Sequence, residues 1–316
     1  MKAWQFTNTH EPLVLAEVDE PTAAAGGVVI DIKSAGLCHS DVGVLDDEGW
    51  LSTLAKRPIT LGHEVAGVIA HVGPGVVDWK PGDRVGLCPT TPAGAPGYAF
   101  DGGYSYKLAI DQEALVRIPD SVPFAQGAAA TDAGMTSYHA VIAAGGTTAG
   151  TKLGIIGLGG LGQIGARVGV LAGADVYVAE INEKVWPLAD TLGVTRVSRS
   201  ITDFADVGLD VIVDFAGFGT TTAEAIETVG RGGRVVQIGM GRLEATISTK
   251  ALILSQVSLI GSSGGTREDV AGIYDYFATG QLNPAITEIG FEEIPEGLDR
   301  LRRGEVTGRL VAKIAD

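Results

Sequence analysis

The stretch "KLGIIGLGGLGQIGARVGVLAGADVYVAE", residues 152–180, decides the fold class of this chain. It opens with an apolar run typical of a buried strand, continues with a helical pattern, "LGQIGARVGVLAG", and ends in a second strand pattern. Further strand patterns follow at "LDVIVDFAG" (209–217), "GRVVQIG" (233–239) and "VSLIGSS" (257–263), with helical patterns such as "TTTAEAIETV" (220–229) between them. Strands that alternate with helices predict a parallel, doubly wound sheet.

Three glycines of this stretch, Gly157, Gly159 and Gly162, form a GxGxxG pattern directly after the strand and before the helix. In a dinucleotide-binding turn such glycines allow the tight turn, the close approach of the backbone to pyrophosphate and close packing of the helix. The free N–H groups at the helix start then face the phosphates. We expect this turn, with Gly160 and Leu161 inside it, to bind a dinucleotide.

The acidic residue that ends the second strand bears on the type of dinucleotide. Glu180 lies 18 residues after Gly162. A carboxylate there can accept hydrogen bonds from the ribose hydroxyls of adenosine and would repel a 2′-phosphate, so NAD is favoured over NADP. The alternative interpretation is an ordinary glycine-rich crossover followed by a solvated glutamate.

The first part of the chain, to about residue 125, is rich in strand patterns instead. The turn "KPGDRV" (80–85) leads into one of these strand patterns. The end of the chain has helical segments followed by another strand pattern. The strand patterns are "VVIDIKSAG" (28–36), "HEVAGVIAHVG" (63–73), "DRVGLC" (83–88) and "YSYKLAI" (104–110), and the late segments are "REDVAGIYDYFATG" (267–280), "PEGLDRLRRGE" (295–305) and the closing strand "GRLVAKI" (308–314).

Size and composition narrow the class of protein. The 316 residues suggest two domains, and a net charge of −15 argues against a nucleic-acid partner. Only Cys38 and Cys88 are present, so neither a disulfide framework nor a four-cysteine zinc site can be built. No signal-peptide pattern opens the chain, and the glycines and Arg167 of the apolar run 153–174 suit a strand, turn and helix better than a membrane span. We expect a soluble cytoplasmic protein without a membrane partner.

Several motifs stand in a fixed order before the glycine pattern. They are "AGLCHSDVG" (35–43), "LGHEVAGVIAHVG" (61–73), "KPGDRVG" (80–86) and "DGGYSYKLAI" (101–110). Together with "TDAGMTSYHA" (131–140) and "GLGGLG" (157–162), they resemble the zinc-dependent medium-chain alcohol dehydrogenases over essentially the whole chain. The resemblance implies an α/β fold in which a Rossmann NAD-binding domain, 134–261, is inserted in a β-rich GroES-like catalytic domain, 1–133 and 262–316.

The resemblance also implies a catalytic zinc site. It assigns Cys38 and His63 as two ligands and Asp132 as the third, although many relatives carry cysteine at that position and only some carry aspartate. Thiolate and carboxylate together supply two negative charges, as two thiolates would. Glu64 is the rival oxygen ligand, which the family places just behind the metal. Without the family context, Cys38 would be a small buried hydrophobe and His63 a core or turn histidine.

Two residues that follow Cys38, namely Ser40 and Asp41, match groups that support catalysis in the family. Asp41 is expected to accept a hydrogen bond from the far ring nitrogen of His63, although it can also cap the following helix. Ser40 matches the hydroxyl that contacts the reacting alcohol and begins proton transfer. Gly43 stands where many relatives carry a relay histidine, so the proton must leave by the cofactor ribose or another group.

Four positions match contacts that relatives make with the cofactor. His39 and Arg309 match residues that approach the pyrophosphate, and Thr136 and Leu161 match residues that pack behind the nicotinamide ring. The alternative interpretation of both His39 and Arg309 is that they are ordinary surface residues.

One segment departs from the family. Relatives often hold a structural zinc with four cysteines between "GDRV" and "GGY", whereas this chain has "GLCPTTPAGAPGYAFD" (86–101). We expect one catalytic zinc per chain, no structural zinc, and a short loop in place of that lobe. Cys88 lies near the substrate pocket in this interpretation, or is simply a buried thiol.

The expected function is reversible oxidation of an alcohol, by preference a secondary one, to a ketone or aldehyde, with hydride passing to NAD. A zinc-free NAD(P)H quinone or enoyl reductase of the same superfamily is the alternative enzyme, and a non-catalytic NAD-binding protein is the alternative outside enzymes. The edge pattern "VSLIGSSGG" (257–265) suggests a homodimer.

Overall fold

A computed structural model describes residues 1–315 of the chain. They divide into two compact units. The first unit comprises Met1–Asp132, Thr266–Gly280 and the segment from Ala285 onward, and the second comprises Ala133–Gly265 with Gln281–Pro284. The domain boundaries expected from the sequence, 133/134 and 261/262, stay a prediction.

Sixteen strands are present in the described residues: β1 Lys2–Phe6, β2 Val14–Glu17, β3 Gly27–Leu37, β4 Ile59–Thr60, β5 Glu64–Val72, β6 Arg84–Leu87, β7 Lys107–Asp111, β8 Leu115–Arg117, β9 Lys152–Ile156, β10 Asp175–Ala179, β11 Arg196–Ser198, β12 Val211–Asp214, β13 Arg234–Gln237, β14 Ser258–Gly261, β15 Ile286–Gly290 and β16 Arg309–Lys313. The α-helices are α1 His39–Asp46, α2 Phe124–Ala129, α3 Met135–Tyr138, α4 Gly162–Leu171, α5 Trp186–Leu192, α6 Thr220–Thr228, α7 Thr249–Leu254, α8 Arg267–Ala278 and α9 Ile294–Arg302.

The second unit is built on one six-stranded parallel sheet in the order β11-β10-β9-β12-β13-β14. Counted within the unit this is 3-2-1-4-5-6, the doubly wound order. Ile155 of β9 pairs with Val178 of β10 on one side and Val213 of β12 on the other, and all three are fully buried. Strands that are covered on both faces have continuous apolar sequences. The apolar strand runs within 152–180 therefore predict this sheet correctly.

The apolar run 153–174 forms β9, the glycine turn and α4. In residues 1–315, none of the helices combines the length and the apolar character that crossing a bilayer requires.

The first unit is β-rich, as expected. Its larger sheet runs β15-β16-β3-β5-β6-β8 with β7 also beside β3, and a smaller sheet has the order β2-β1-β4. The long strand β3 lies at the centre, and its side chains Ile30, Ile32 and Leu37 are fully buried in the core of this unit. With the parallel sheet of the second unit, this confirms the predicted fold class.

Candidate metal centre and dinucleotide site

Strand pairing in the first unit brings two predicted zinc ligands together. Strand β3 ends at Leu37 and β5 begins at Glu64, and the two strands are antiparallel with Gly36 opposite Glu64. Cys38 follows the end of β3 and His63 precedes the start of β5. The register therefore places residues 25 positions apart in the sequence at the same edge of the sheet.

The third predicted ligand completes the cluster. Oδ2 of Asp132 lies 3.4 Å from Nε2 of His63 and 3.6 Å from Sγ of Cys38. Around a tetrahedral zinc ion with bonds of about 2.0–2.3 Å, oxygen and nitrogen ligands lie about 3.4 Å apart and oxygen and sulfur ligands about 3.6 Å apart. The distances measured from Asp132 thus fit a zinc ion that its carboxylate shares with the other two side chains.

A π-helical turn, Ala130–Gly134, carries Asp132. Such turns are rare inside proteins and recur at functional sites. The side chain of Asp132 retains 16 % of its exposure, whereas that of the neighbouring Glu64 is fully buried.

Asp41 supports His63 from behind. It is fully buried in the first turn of α1, where it accepts hydrogen bonds from the backbone N–H of Cys38 at 3.1 Å and from the Tyr104 hydroxyl at 2.7 Å. Its other oxygen, Oδ1, lies 3.6 Å from Nδ1 of His63. The two interpretations of Asp41 are therefore compatible, because one carboxylate caps the helix and also faces the far ring nitrogen.

Glu64 is occupied by a different partner. Nε of Arg309 donates to Oε2 of Glu64 at 3.1 Å, and a second guanidinium nitrogen contacts the other oxygen. Only 3 % of Arg309 is exposed, so its interpretation as a surface residue is wrong. A Cβ at Gly36 would lie 2.7 Å from the carboxyl carbon of Glu64, which explains the glycine in "AGLC". Ligand atoms of Cys38, His63, Glu64 and Asp132 all lie within 4.8 Å of one another. Arg309 also lies 3.5 Å from Oδ2 of Asp132, but that oxygen is the one that lies against both His63 and Cys38.

The electrostatic field of the cluster favours a cation. Burial alone would lower the pKa of His63, but the negative charge of Asp41 and the contact with Asp132 outweigh burial and raise this pKa well above its ordinary value. Burial would likewise raise the pKa of Cys38, yet the charge of Arg309 and the contact with His63 lower it. The thiolate, which is the form that binds metal, is therefore favoured.

Aromatic side chains border the cluster on the side of Ser40. A Cβ at Gly43, one turn after Ser40 on α1, would lie 2.7 Å from the indole of Trp50. The indole therefore fills the space that a relay side chain at position 43 would need. The ring of Tyr98 packs against His63 with centroids 5.6 Å apart and planes inclined at 57°.

The glycine turn of the second unit has the backbone that its pattern predicts. Gly157 has φ of +89°, in the left-handed region that favours glycine. A Cβ at Gly162 would lie 2.8 Å from the carbonyl carbon of Gly157, whereas a Cβ at Gly159 would meet nothing within 4 Å. Gly162 thus closes the turn tightly, and Gly159 leaves its outer side open, as a backbone that approaches a ligand requires.

Glu180 ties this turn to the end of β10. Its two carboxylate oxygens accept the backbone N–H groups of Leu158 and Asn182, each at 2.7 Å. A carboxylate has about four acceptor positions, so both oxygens can also accept ribose hydroxyls.

Other predicted cofactor contacts lie in both units. In the second unit the Ser137 hydroxyl donates to the Leu161 carbonyl at 2.9 Å, which places the helix of Thr136 beside the glycine turn. His39 is exposed at the start of α1 in the first unit. The approach of His39, Thr136 and Arg309 to a common dinucleotide stays a prediction.

Two supporting residues were not identified from the sequence. One is Tyr104, which holds Asp41. The other is Asp214, fully buried at the end of β12, which accepts the N–H groups of Ala216 and Gly217 at 3.0 and 2.8 Å and so holds the turn beside Gly157. Their signals were an aromatic residue after two glycines, "GGY", and a carboxylate directly after an apolar strand, "VIVD".

Comparison with known proteins agrees with this geometry. The profile of the family "Alcohol dehydrogenase GroES-like domain" matches residues 24–120, and that of "Zinc-binding dehydrogenase" matches residues 160–279. An alcohol dehydrogenase of Geobacillus stearothermophilus is 30 % identical over 339 residues, which cover 99 % of this chain and 100 % of the relative. The chain belongs to the zinc-type medium-chain alcohol dehydrogenases.

Two further proteins that are similar to this chain are named with different cofactors, one with NADP and one with NAD. The NADP-dependent alcohol dehydrogenase C of Mycobacterium bovis is 28 % identical over 99 % of this chain and 98 % of its own length. The structure of acetophenone reductase from Geotrichum candidum in complex with NAD is 27 % identical, with a TM-score of 0.91 over 99 % of this chain and 97 % of that one.

Membership of the family makes this protein an oxidoreductase that acts on alcohols, with zinc and NAD or NADP as cofactors. It favours the predicted alcohol dehydrogenase over the two alternatives, a zinc-free quinone or enoyl reductase and a non-catalytic NAD-binding protein.

Proposed function

We propose that this protein is a zinc- and NAD-dependent dehydrogenase that interconverts secondary alcohols and ketones. The observation that carries the proposal is the placement of Oδ2 of Asp132 at 3.4 Å from Nε2 of His63 and 3.6 Å from Sγ of Cys38, as expected between ligands of a tetrahedral zinc ion.

Cys38, His63 and Asp132 would hold one zinc ion per chain, with aspartate as the third ligand and no second, structural zinc. Zinc, when bound, supplies a Lewis acid that lowers the pKa of an alcohol hydroxyl. Asp41, anchored by the Cys38 amide and the Tyr104 hydroxyl, would keep Nδ1 of His63 protonated so that Nε2 faces the metal. Glu64 would remain paired with Arg309 and hold negative charge behind the site.

The glycine turn and Glu180 would select NAD. Gly157, Gly159, Gly160 and Gly162 bring the backbone and the start of α4 to the pyrophosphate, and the carboxylate of Glu180 accepts the ribose hydroxyls. A 2′-phosphate would meet that carboxylate, which already lies beside the turn through Leu158. NAD, when bound, accepts the hydride.

The remaining predicted residues would orient the reactants. We assign His39 and Arg309 to the pyrophosphate, and Thr136 and Leu161 to the nicotinamide ring. Ser40 would accept the proton of the alcohol hydroxyl. Because the indole of Trp50 covers Gly43, the proton would then leave towards the cofactor ribose and water.

The expected assembly is a homodimer in the cytoplasm. Strand β14 is the edge of the parallel sheet, and Leu259 on it is 41 % exposed. An edge strand with exposed apolar side chains is suited to pairing with a second copy of the same strand.

A panel of primary and secondary alcohols, assayed with NAD⁺ and with NADP⁺, tests this function. We expect the highest kcat/KM with secondary alcohols and NAD⁺, loss of activity on chelation, recovery on zinc addition, and about one zinc per chain by metal analysis. Activity that resists chelation would contradict the zinc assignment, and a preference for NADP⁺ would contradict that of Glu180.

A further inference from the structure

Two turns at the carboxyl end of the parallel sheet are anchored by one residue, Asp214. In the turn after β12, Oδ1 of Asp214 accepts the N–H groups of Ala216 and Gly217 at 3.0 and 2.8 Å. Its Oδ2 accepts the Thr221 hydroxyl at 2.8 Å, and this hydroxyl accepts the N–H of Phe218 at 3.0 Å. Three consecutive amides of the turn are thus held, two by the carboxylate itself and one through a hydroxyl.

The backbone of Asp214 holds the other turn, which follows β13. Its carbonyl accepts the N–H of Gly239 at 2.9 Å. The two turns also contact each other, since a Cβ at Gly239 would lie 2.6 Å from the amide nitrogen of Gly217. They therefore form one connected surface, residues 215–219 and 239–242, which we refer to as the second wall.

The second wall lies beside the glycine turn. A Cβ at Gly157 would lie 3.6 Å from the Cβ of Ala216. The sheet order places the topological switch point between β9 and β12, and doubly wound sheets bind their ligands outside the carboxyl ends of the strands at that point. A dinucleotide at the glycine turn is therefore bordered by the second wall on its other side.

The carboxylate of Asp214 serves these turns. It is fully buried, and burial of a carboxylate is costly unless hydrogen bonds satisfy it. Its hydrogen bonds go to the turn after β12 and to the first turn of α6. Turns beyond the ends of strands are otherwise the mobile part of a fold, and ordering them when a ligand binds lowers the affinity. A turn that is fixed beforehand avoids that cost.

We infer that Asp214 is a positioning residue of the dinucleotide site, which fixes the second wall before the cofactor binds. Glu180, which bears on the choice between NAD and NADP, follows β10, on the opposite side of β9 from β12. Asp214 therefore acts equally on both dinucleotides. This inference rests on the glycine turn as the dinucleotide site of the proposed function.

The substitutions Thr221→Val and Asp214→Asn test the inference in the zinc-loaded enzyme. T221V removes the hydroxyl that joins the carboxylate to Phe218, and D214N removes the charge. We expect each to raise the Kd values for NAD⁺ and NADP⁺ by the same factor, about tenfold, as for loss of one hydrogen bond to a charged group. The KM for NAD⁺ should rise with its Kd, whereas kcat at saturating NAD⁺ should fall less, because the wall acts on binding.

Two substitutions of the same residue types at the amino end of the same sheet are the controls. The Thr195 hydroxyl accepts the N–H of Val176 at 3.1 Å, and the Asp210 carboxylate accepts that of Lys152 at 2.8 Å. T195V and D210N therefore alter comparable contacts at the end of the sheet away from the glycine turn, and both should keep the wild-type Kd values. T221S retains the hydroxyl and should bind both dinucleotides as wild type does.

Binding measured well below the melting temperature of each variant separates positioning from stability. Unchanged Kd values in T221V overturn the inference, whether or not D214N folds. Equal losses of affinity in T221V and T195V show a general effect of stability, and a loss for NAD⁺ alone contradicts a wall common to both dinucleotides. A wild type that prefers NADP⁺, with both Kd values raised in T221V, contradicts the assignment of Glu180 and supports that of Asp214. A wild type that binds neither dinucleotide contradicts the proposed function itself.

Discussion

Asp132 is the residue on which the metal assignment depends most. Its carboxylate oxygen faces both Cys38 and His63, whereas the nearby Glu64 is paired with Arg309. In the proposed site this carboxylate and the thiolate of Cys38 would balance the two positive charges of zinc, and Arg309 lies 3.5 Å from Asp132. The proposed third ligand, Asp132, is thus distinguished from Glu64 by its contacts with Cys38 and His63 and not by the chemistry of its carboxylate.

We expect Asp132→Asn to lower zinc occupancy and alcohol oxidation together, because an amide oxygen is uncharged and a weaker ligand for zinc. Metal analysis and kcat, determined on the same preparations, measure the two effects. We expect kcat to fall at least tenfold. Asp206→Asn, at an exposed position, is the control and should keep both. A fully metallated and active D132N enzyme would shift the ligand role to Glu64.

Glu180, at the end of strand β10, is hydrogen-bonded to the glycine turn and so holds the two together. The carboxylate joins the amides of Leu158 and Asn182, so that the acidic group is held at a fixed place beside the turn. A fixed charge discriminates between ligands more sharply than a mobile one, because it cannot swing away from a phosphate.

Glu180→Ala should therefore weaken NAD⁺ binding and relieve the repulsion of NADP⁺. We expect the ratio of the two dissociation constants, NADP⁺ over NAD⁺, to fall by about tenfold or more, as for loss of one charged contact. Titration of tryptophan fluorescence measures both constants. Glu183→Ala, an exposed acid that pairs with Arg199, is the control, and an unchanged ratio in E180A would contradict the assignment.

The turn between β5 and β6 holds an ion pair with a predictable pH dependence. Asp83 accepts the Lys80 amide at 3.1 Å and lies 3.2 Å from a guanidinium nitrogen of Arg117. The hydrogen bond from Arg117 lowers the pKa of Asp83 below its ordinary value of 3.8. A lowered folded-state pKa stabilises the fold above the unfolded-state pKa, and this stability is lost as pH falls through the folded-state value.

Asp83→Asn should accordingly lower the melting temperature at pH 7 by a few degrees, and the difference from wild type should shrink as the pH falls below about 4. Thermal unfolding at pH 7 and at acid pH measures this. Asp78→Asn, an exposed residue of the same turn, should change the melting temperature little at either pH. A difference for D83N that grows at acid pH would contradict the ion-pair explanation.

At the scale of the whole molecule, apolar side chains stand exposed at one edge of the second unit. Leu259 on β14 is 41 % exposed, and Ile253 and Leu254 on α7 are 69 % and 60 % exposed. A group of exposed apolar side chains at a sheet edge more often forms a protein contact than a surface that stays exposed to water.

We expect Leu259→Lys to convert the proposed homodimer to monomers, because a buried lysine without a partner opposes association. Light scattering of wild type and variant at the same concentration measures the mass. Val77→Lys, at an 83 % exposed position in the first unit, is the control and should remain dimeric. A monomeric wild type would contradict the proposed homodimer.

The strongly periodic segments of the chain were predicted well. The predicted helices at 161–173 and 267–280 correspond to α4 and α8, and the closing strand at 308–314 corresponds to β16. Strand β15, "ITEIG", was not predicted, because Ile289 is its only buried residue and no clear period results. The π turn of Asp132 was missed as well, since nothing in "ATDAG" separates it from an α-helical turn.

The sequence by itself determined the fold class and the enzyme family of this protein. Both depend on local patterns, the alternation of strand and helix after residue 152 and the ordered short motifs around Cys38, His63 and Gly157, which are visible without folding. Only the tertiary structure shows how the carboxylates of Glu64 and Asp132 are placed beside the cysteine and histidine. Strand β16 pairs with β3, Leu310 opposite Leu37, and brings Arg309 against Glu64, 245 residues away in the chain. Ion pairing and burial between such distant residues depend on the register of the sheet, and no local pattern encodes them.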